Sequence, residues 1–180
     1  MLIKPDIAHS LLAYDFPLID TGIDISHKDL EANIWRNPGE DWNPDGTPGY
    51  DGIDNDGNGK VDDYYGWNFV SNDNDPMDYH GHGTHCAGII GAVANNEIGV
   101  AGVNWQIQIV ALKALDDLGN GNNADLIAAI DYAANTNLHI RLTSNSWGGG
   151  PPSIAMRNAI QRAGNNGQLF ICAAGNDTLD

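Results

Sequence analysis

Basic residues are scarce in this sequence, and so are cysteines and long apolar segments. Only 8 Lys and Arg side chains stand against 24 Asp and Glu, which gives a formal net charge of -16. Such a charge repels nucleic acid and anionic membrane surfaces, so we expect neither as a partner. No apolar run approaches the length of a membrane span. The first residues carry no signal-peptide pattern either.

Cys86 and Cys172 are the only cysteines, and both stand in apolar segments. We therefore expect two buried free thiols, with a disulfide between them as the alternative. Hydrophobic residues make up 42% of the 180 residues, which is enough for a single domain with a core. The 22 glycines indicate tight turns and close backbone approaches rather than a linker.

Much of the acidic charge lies between residues 41 and 78, partly in a long loop at residues 37–60. This loop carries Asp, Asp, Asn, Gly and Asp at positions 1, 3, 5, 6 and 9 of an EF-hand-type calcium loop, but Tyr65 replaces the glutamate of position 12. We predict a calcium loop without EF-hand helices, and an ion-free acidic turn is the alternative. The expected ligands are Asp54, Asp56, Asn58, Asp62 and Asp63.

Strands and helices are predicted to alternate along the rest of the chain. Apolar runs near residues 16–22, 106–112, 140–144 and 168–174 favour strands. One helix is expected to begin after the N-cap Asn122 and to run to about Asn135, and a second to open at Pro151-Pro152-Ser153. Short connections between such elements predict a parallel α/β sheet, whose functional sites lie at the carboxyl ends of its strands.

Three histidines, His80, His82 and His85, cluster just before an apolar run at residues 89–94. Small residues around them predict a short loop that leads into a tightly packed helix. A histidine at a helix N-terminus favours the neutral imidazole. Neutral imidazole serves either as a general base or as a metal ligand, and the cluster by itself permits both uses.

Four segments resemble, in the same order, motifs of the subtilisin-like serine proteases. They are Leu-Ile-Asp-Thr-Gly at 18–22, His-Gly-Thr-His-Cys-Ala-Gly at 82–88, Ser-Asn-Ser-Trp-Gly at 144–148 and Ala-Ala-Gly-Asn at 173–176. The resemblance implies a three-layer α/β/α fold with a mainly parallel sheet. It assigns residues 16–180 to part of a catalytic domain, with a calcium-loop insertion at about 37–66, and leaves residues 1–15 unassigned.

The resemblance also implies roles for single residues. Asp20 would orient the imidazole of His82, His82 would act as general base, and Asn176 would donate to the oxyanion. An extended peptide substrate would lie between two segments as an added strand, with a roomy apolar pocket. Those segments consist of Gly119, Asn120 and Gly121 on one side and Ser146, Trp147 and Gly148 on the other.

Two further features follow from the resemblance. A second calcium ion would bind the side chains of Asp29 and Asn96 and the carbonyls of Ala94, Ile98 and Val100. Cys86 matches family members with a free thiol beneath the catalytic histidine. His80 would be an exposed loop residue, and His85 would pack or form a structural hydrogen bond. By family analogy we expect a secreted protein that works where calcium is plentiful.

The family's nucleophile lies in a Gly-Thr-Ser motif that this sequence does not contain. We therefore expect the serine to lie beyond residue 180, the sheet to be incomplete at its C-terminal side, and the chain alone to be inactive. Two alternatives remain at this point. One is an inactive calcium-binding fragment of the fold. The other is a zinc hydrolase that uses His80, His82 and His85, although Thr84 stands where such motifs carry aspartate.

Overall fold

A computed structural model describes residues 15–135 and 140–176 of the chain. Its centre is a sheet of 5 strands in the order β2-β3-β1-β4-β5, and every ladder is parallel. The strands are β1 Asp15–Asp20, β2 Gly66–Asn68, β3 Gln108–Lys113, β4 Leu142–Asn145 and β5 Leu169–Cys172. The helices are α1 His82–Gly91, α2 Asn123–Asn135 and α3 Ile154–Asn165, with a short 3-10 turn at Glu31–Asn33. The predicted parallel α/β architecture is confirmed.

Helices cover both faces of the sheet because its central strands are apolar on both faces. Leu18 of β1 packs in a cluster with Ala87 of α1, whereas its neighbour Ile19 packs in a second cluster with Ile130 of α2 and Ala163 of α3. Successive side chains of a strand point to opposite faces. The sheet is therefore the middle of three layers, with α1 on one side and α2 and α3 on the other.

Both predicted helix starts are found in the structure. The Asn122 side chain accepts hydrogen bonds from the backbone N–H groups of Ala124 and Asp125 at 2.9 and 3.0 Å. Ser153 is the N-cap of α3, and its hydroxyl accepts from Met156 N at 3.2 Å. Such caps satisfy N–H groups that have no partner within the helix, which fixes where each helix begins.

Pro17 lies in β1, although a proline fits poorly in a central strand because it cannot donate to a ladder. The ladder with β3 includes Pro17, whereas the ladder with β4 begins only at Leu18. The missing N–H therefore falls where β1 has a neighbouring strand on one side only, and the strand tolerates the proline.

The prediction that both thiols are buried is wrong for Cys172, which is exposed, while Cys86 is half-buried; both are free cysteines. Cys172 ends β5, which within the described residues pairs only with β4. The same strand leaves Leu169 and Ile171 62% and 49% exposed. An apolar sequence predicts burial only where a further layer covers it. Helix α3 contacts β5 and Phe170 packs against the core, whereas Leu169, Ile171 and Cys172 of the same strand remain exposed.

Candidate functional site

The parallel strands end at one edge of the sheet, and β1 brings Asp20 to that edge. Asp20 is fully buried, and helix α1 begins beside it at His82. The Nδ1 atom of His82 lies 2.6 Å from Asp20 Oδ1, which also accepts a hydrogen bond from Thr21 N at 2.8 Å. The sequence-predicted pair is thus in direct contact.

Close packing of α1 against β1 makes this contact possible. The backbone N–H of Gly83 donates to the Thr21 hydroxyl at 2.9 Å. A Cβ atom at position 83 would lie 2.1 Å from the carbonyl oxygen of Gly22, so only glycine permits this approach. The requirement explains the small residue directly after His82.

The arrangement suits His82 to accept a proton. A buried carboxylate on Nδ1 fixes the tautomer of the ring and stabilises the imidazolium that forms when Nε2 takes up a proton. The His82 side chain is 41% exposed, so the ring remains accessible to a substrate. No serine hydroxyl of the described residues hydrogen-bonds to this imidazole.

Cys86 lies beneath the imidazole, with its Sγ atom 3.9 Å from His82 Nδ1. Burial raises the pKa of the Cys86 thiol, and the negative charge of Asp20 raises it further, although a hydrogen bond from Ser146 opposes the shift. A thiol with a raised pKa stays protonated at neutral pH, and the protonated thiol is a poor nucleophile. The Cys86 thiol is therefore not activated as a nucleophile by its surroundings.

The histidine cluster does not form a three-histidine metal site. The rings of His80 and His82 have centroids 6.3 Å apart, and both His80 and His85 are exposed. Among residues 15–135 and 140–176, the groups of three potential ligands within ligating distance do not combine these three histidines. The geometry disfavours a zinc hydrolase. The exposure of His85 also contradicts one of its two expected roles, that of a packed side chain.

A cleft of about 700 Å³ opens between the two predicted substrate-binding segments. Its lining includes Gly119, Asn120 and Gly121 of the first segment and Trp147 and Gly148 of the second. The indole N–H of Trp147 donates to the carbonyl of Ile19 at 2.9 Å, which ties the second segment to the strand that carries Asp20. Ser146 does not line the cleft, because it turns toward Cys86.

The expected pocket is apolar, but the side chains that make it apolar were not identified from the sequence; they are Leu115, Leu126 and Met156. In the sequence, Leu126 fits only the apolar face of the helix predicted after Asn122. That signal identifies buried residues, but it does not separate the wall of a cleft from the core.

Asn176 follows β5 and is exposed. Because β5 runs parallel to β4, and β4 to β1, Asn176 lies beyond the same strand edge as Asp20. Gly175 before it has a φ of 86°, a left-handed conformation that favours glycine and turns the chain sharply.

Comparison with known proteins gives one consistent result. The family model of the subtilases, Peptidase_S8, matches residues 17–180. The chain belongs to the subtilase family. The subtilisin-like protease 1 of Plasmodium berghei (strain Anka) is 40% identical to it over 159 residues, which cover 88% of this subtilase and 25% of the relative.

A second relative by sequence and one solved structure give the same result. An extracellular protease of Xanthomonas campestris pv. campestris is 37% identical over 170 residues, covering 89% of this subtilase and 29% of the relative. The solved structure of Sphericase superposes with a TM-score of 0.71 at 26% identity, covering 93% of this subtilase and 47% of that chain. This subtilase thus spans about a quarter of the curated relatives' length. The chain corresponds to the N-terminal part of the family's catalytic domain.

The acidic loop of this subtilase contains a cluster of three carboxylates, Glu40, Asp56 and Asp63, whose oxygens lie within 4.8 Å of one another. Asp63 and Glu40 are buried, and among the described residues Glu40 Oε1 has no hydrogen-bond partner. The hydroxyl of Tyr132 donates to Asp63 Oδ2, and the amide of Asn37 donates to both Asp56 and Asp63.

Burial and mutual repulsion raise the pKa values in this cluster. The pKa of Glu40 rises to about 7 because of burial and the charge of Asp63. The pKa of Asp63 rises to about 6 because of burial, although hydrogen bonds from Tyr132, Asn58 and Asn37 oppose the shift. Packed carboxylates of like charge require either protons or a cation.

Three of the sequence-predicted calcium ligands, Asp54, Asp62 and Asn58, do not belong to this carboxylate cluster. Asp54 accepts from the backbone N–H groups of Asn58 and Gly59 at 3.0 and 2.9 Å, and Asp62 accepts from Gly52 N at 3.2 Å. Asn58 donates its amide protons to Asp56 and Asp63, both at 3.0 Å. The structure therefore brings Asp56 and Asp63 together, leaves Asp54 and Asp62 outside, and adds Glu40.

The second predicted calcium loop also brings its side chains together. Asp29 accepts from the Asn96 amide at 2.7 Å and from Val100 N at 2.9 Å, and the backbone N–H of Ile98 donates to the Asn96 side-chain oxygen at 3.1 Å. The Asn96 and Val100 hydrogen bonds hold the pKa of Asp29 below its usual value. Ala94 stands at the start of this loop.

Proposed function

We propose that this subtilase supplies the general base of a serine endopeptidase site, His82, together with Asp20, which orients it. The observation that carries the proposal is the 2.6 Å contact between the buried Asp20 carboxylate and His82 Nδ1. In the proposed reaction His82 Nε2 accepts the proton of a serine hydroxyl as the serine attacks the peptide carbonyl. The imidazolium, stabilised by Asp20, then returns this proton to the leaving amine, and an acyl-enzyme forms that water hydrolyses.

The serine of this triad is proposed to come from sequence that follows residue 180. No serine of the chain stands in a Gly-Thr-Ser motif. Asn176 is proposed as a donor to the oxyanion of the tetrahedral intermediate, and its place beyond the strand edge that carries Asp20 supports this role.

The substrate is proposed to be a peptide or protein bound in extended conformation. The cleft lined by residues 119–121 and Trp147 supports this proposal, because Gly119, Gly121 and Gly148 in its lining leave room for an extended backbone. Leu126 and Met156 make part of the cleft apolar, which favours an apolar substrate side chain there.

The test uses a fluorophosphonate probe and a fluorogenic peptide. We expect the gene product that includes the sequence after residue 180 to be labelled and to cleave the peptide, and its His82→Ala variant to do neither. We expect the chain as printed to remain unlabelled. Labelling of the printed chain would show that it contains its own nucleophile, and an unlabelled longer protein would favour the inactive calcium-binding alternative.

We also propose that the acidic loop binds a calcium ion through Glu40, Asp56 and Asp63. The buried oxygen of Glu40, which has no partner among the described residues, supports a cation there, and hard oxygen ligands are those that Ca²⁺ prefers. When bound, the ion would neutralise the carboxylates and hold residues 37–66 against α2, to which Tyr132 belongs. A second ion is proposed at Asp29 and Asn96, with the carbonyls of Ala94, Ile98 and Val100.

Without calcium, the stability of the protein should fall as pH rises from about 4 to about 7. The pKa of Glu40 rises from 4.5 to about 7 on folding, and that of Asp63 from 3.8 to about 6. In this window the folded state binds more protons than the unfolded state, so raising the pH favours unfolding. Thermal melts in calcium-depleted buffer across this range measure the effect.

The Glu40→Gln variant is the matched control, because a neutral amide removes the titration of Glu40 and keeps the size of the side chain. We expect its melting temperature to fall less over the same pH range than that of the wild type. Equal slopes in the two proteins would contradict a raised pKa of Glu40.

The proposed place of action is outside the cell. The Xanthomonas campestris relative is named an extracellular protease, and this name supports the proposal. Within the described residues no helix has both the length and the apolar character that crossing a membrane requires.

A further inference from the structure

We infer that Asp78 is a positioning residue for the Asp20–His82 pair, because one carboxylate joins the end of β1 to the start of α1. The inference deepens the proposed endopeptidase function and rests on it. Asp78 touches neither Asp20 nor His82 in any of its hydrogen bonds. It acts through the residues that flank both of them.

Five hydrogen bonds converge on the Asp78 carboxylate. Oδ1 accepts from the hydroxyl of Thr21 and from the backbone N–H groups of His80 and Gly81, each at 2.9 Å. Oδ2 accepts from the backbone N–H of Thr84 at 2.9 Å and from its hydroxyl at 2.7 Å. Hydrogen bonds to an ionised acceptor are roughly twice as strong as neutral ones.

These donors come from both sides of the catalytic contact. Thr21 directly follows Asp20, while Gly81 directly precedes His82 and Thr84 lies in the first turn of α1. The Thr21 hydroxyl also accepts from the backbone N–H of Gly83 at 2.9 Å. Asp78 therefore holds Thr21, which follows Asp20, and Gly81, which precedes His82. These hydrogen bonds fix the distance between the Asp20 carboxylate and the His82 ring.

Asp78 also replaces an N-cap that α1 lacks. The N-cap position is Gly81, which has no side chain to accept hydrogen bonds from the free N–H groups of the first turn. Although burial alone would raise it, the hydrogen bonds from Gly81, Thr84 and Thr21 hold the pKa of Asp78 below its usual value. A carboxylate that is ionised at this helix end also interacts favourably with the helix dipole.

The first experiment replaces Asp78 with Asn in the full-length gene product. The amide of Asp78→Asn keeps the shape of the carboxylate, but its NH₂ group would face the donors of Thr84 and could not accept from them. We therefore expect the start of α1, and His82 with it, to shift. We expect kcat per titrated active site to fall by about a hundredfold, the scale reported for a displacement of about 1 Å, with KM little changed. Titration of active sites removes any loss that comes only from unfolded protein.

Asp75→Asn is the matched control, because it removes the same charge from the same loop. The Asp75 carboxylate is exposed and accepts from Met77 N at 3.2 Å. We expect its kcat to equal that of the wild type. If Asp78→Asn retains wild-type kcat per active site, or changes KM alone, the positioning role is overturned.

A second measurement does not depend on activity. The proton between His82 Nδ1 and Asp20 should give a strongly downfield NMR resonance in the chain as printed, and we expect Asp78→Asn to weaken or shift it and Asp75→Asn to preserve it. An unchanged resonance in Asp78→Asn would contradict the inference. Should the full-length protein prove inactive, the proposed function fails while this resonance still tests the positioning of His82.

If Asp78→Asn does not fold, Thr84→Val is the milder variant. It removes the hydroxyl donor at 2.7 Å and leaves the carboxylate with its backbone donors. We expect a smaller fall in kcat and a smaller change of the His82 resonance than for Asp78→Asn. No change in either quantity would count against the network.

Discussion

Replacing Asp20 with Asn should lower kcat of the proposed peptidase by about 10⁴-fold, the loss known for the same change in another Ser-His-Asp triad. The amide fits the buried space, but it carries no charge to stabilise the imidazolium. It also permits the wrong imidazole tautomer, because the Asn side chain can donate to Nδ1. We expect little change in KM, since Asp20 is fully buried and lies out of reach of a substrate.

The measurement is steady-state hydrolysis by the full-length gene product, with protein concentration corrected for the folded fraction. Asp24→Asn is the matched control, because the Asp24 carboxylate accepts from Ser26 in an exposed turn and does not contact the imidazole. We expect that control to keep wild-type kcat. An Asp20→Asn variant that retained most of its kcat would contradict the proposed role of the Asp20–His82 contact.

Removing calcium should destabilise the protein by about 3–4 kcal/mol for each occupied site at calcium concentrations of 100 to 1,000 times the dissociation constant, as mass action predicts. The physical reason is the close packing of Glu40, Asp56 and Asp63, two of which are buried. Without the cation, these carboxylates repel one another or must take up protons. Thermal or denaturant unfolding at pH 8, with calcium and with EGTA, measures the difference.

Glu40→Gln separates the cluster from the second loop at Asp29. We expect this variant to lose most of the calcium-dependent stabilisation that the acidic loop contributes, and to be more stable than the wild type in EGTA, because one repulsive charge is gone. Glu31→Gln is the control, since Glu31 is exposed and lies in the 3-10 turn away from the cluster. An identical response of wild type and Glu40→Gln to EGTA would exclude Glu40 as a ligand.

Local sequence patterns predicted four of the five strands and the helices that flank the sheet, but they did not predict the short strand β2. The caps Asn122 and Ser153 and the apolar runs of the strands predicted the parallel sheet and its flanking helices, because these signals operate within a few residues. Pro17 shows the limit of such signals. Its place in β1 depends on where the ladder with β4 begins, which is a property of the assembled sheet.

Non-local contacts account for what sequence analysis missed. Glu40 precedes the calcium-loop pattern and belongs to no recognisable spacing, yet it lies beside Asp56 and Asp63 once the loop closes. We propose that it supplies the acidic ligand that the pattern lacks at Tyr65. Conversely, Asp54 and Asp62 match the pattern but bond to backbone N–H groups of their own loop. A spacing rule specifies candidate side chains, whereas the course of the backbone determines which of them lie close together.

The sequence by itself determined the family, the parallel α/β architecture and the candidate pair Asp20 and His82, because motifs and periodicity depend on residues that lie close together in the chain. Only the tertiary structure decided that these two side chains meet at 2.6 Å, that Cys172 is exposed and that Asp78 joins β1 to α1. Such facts depend on contacts between segments far apart in the chain. Those contacts are fixed by packing across the sheet, which a local pattern does not encode.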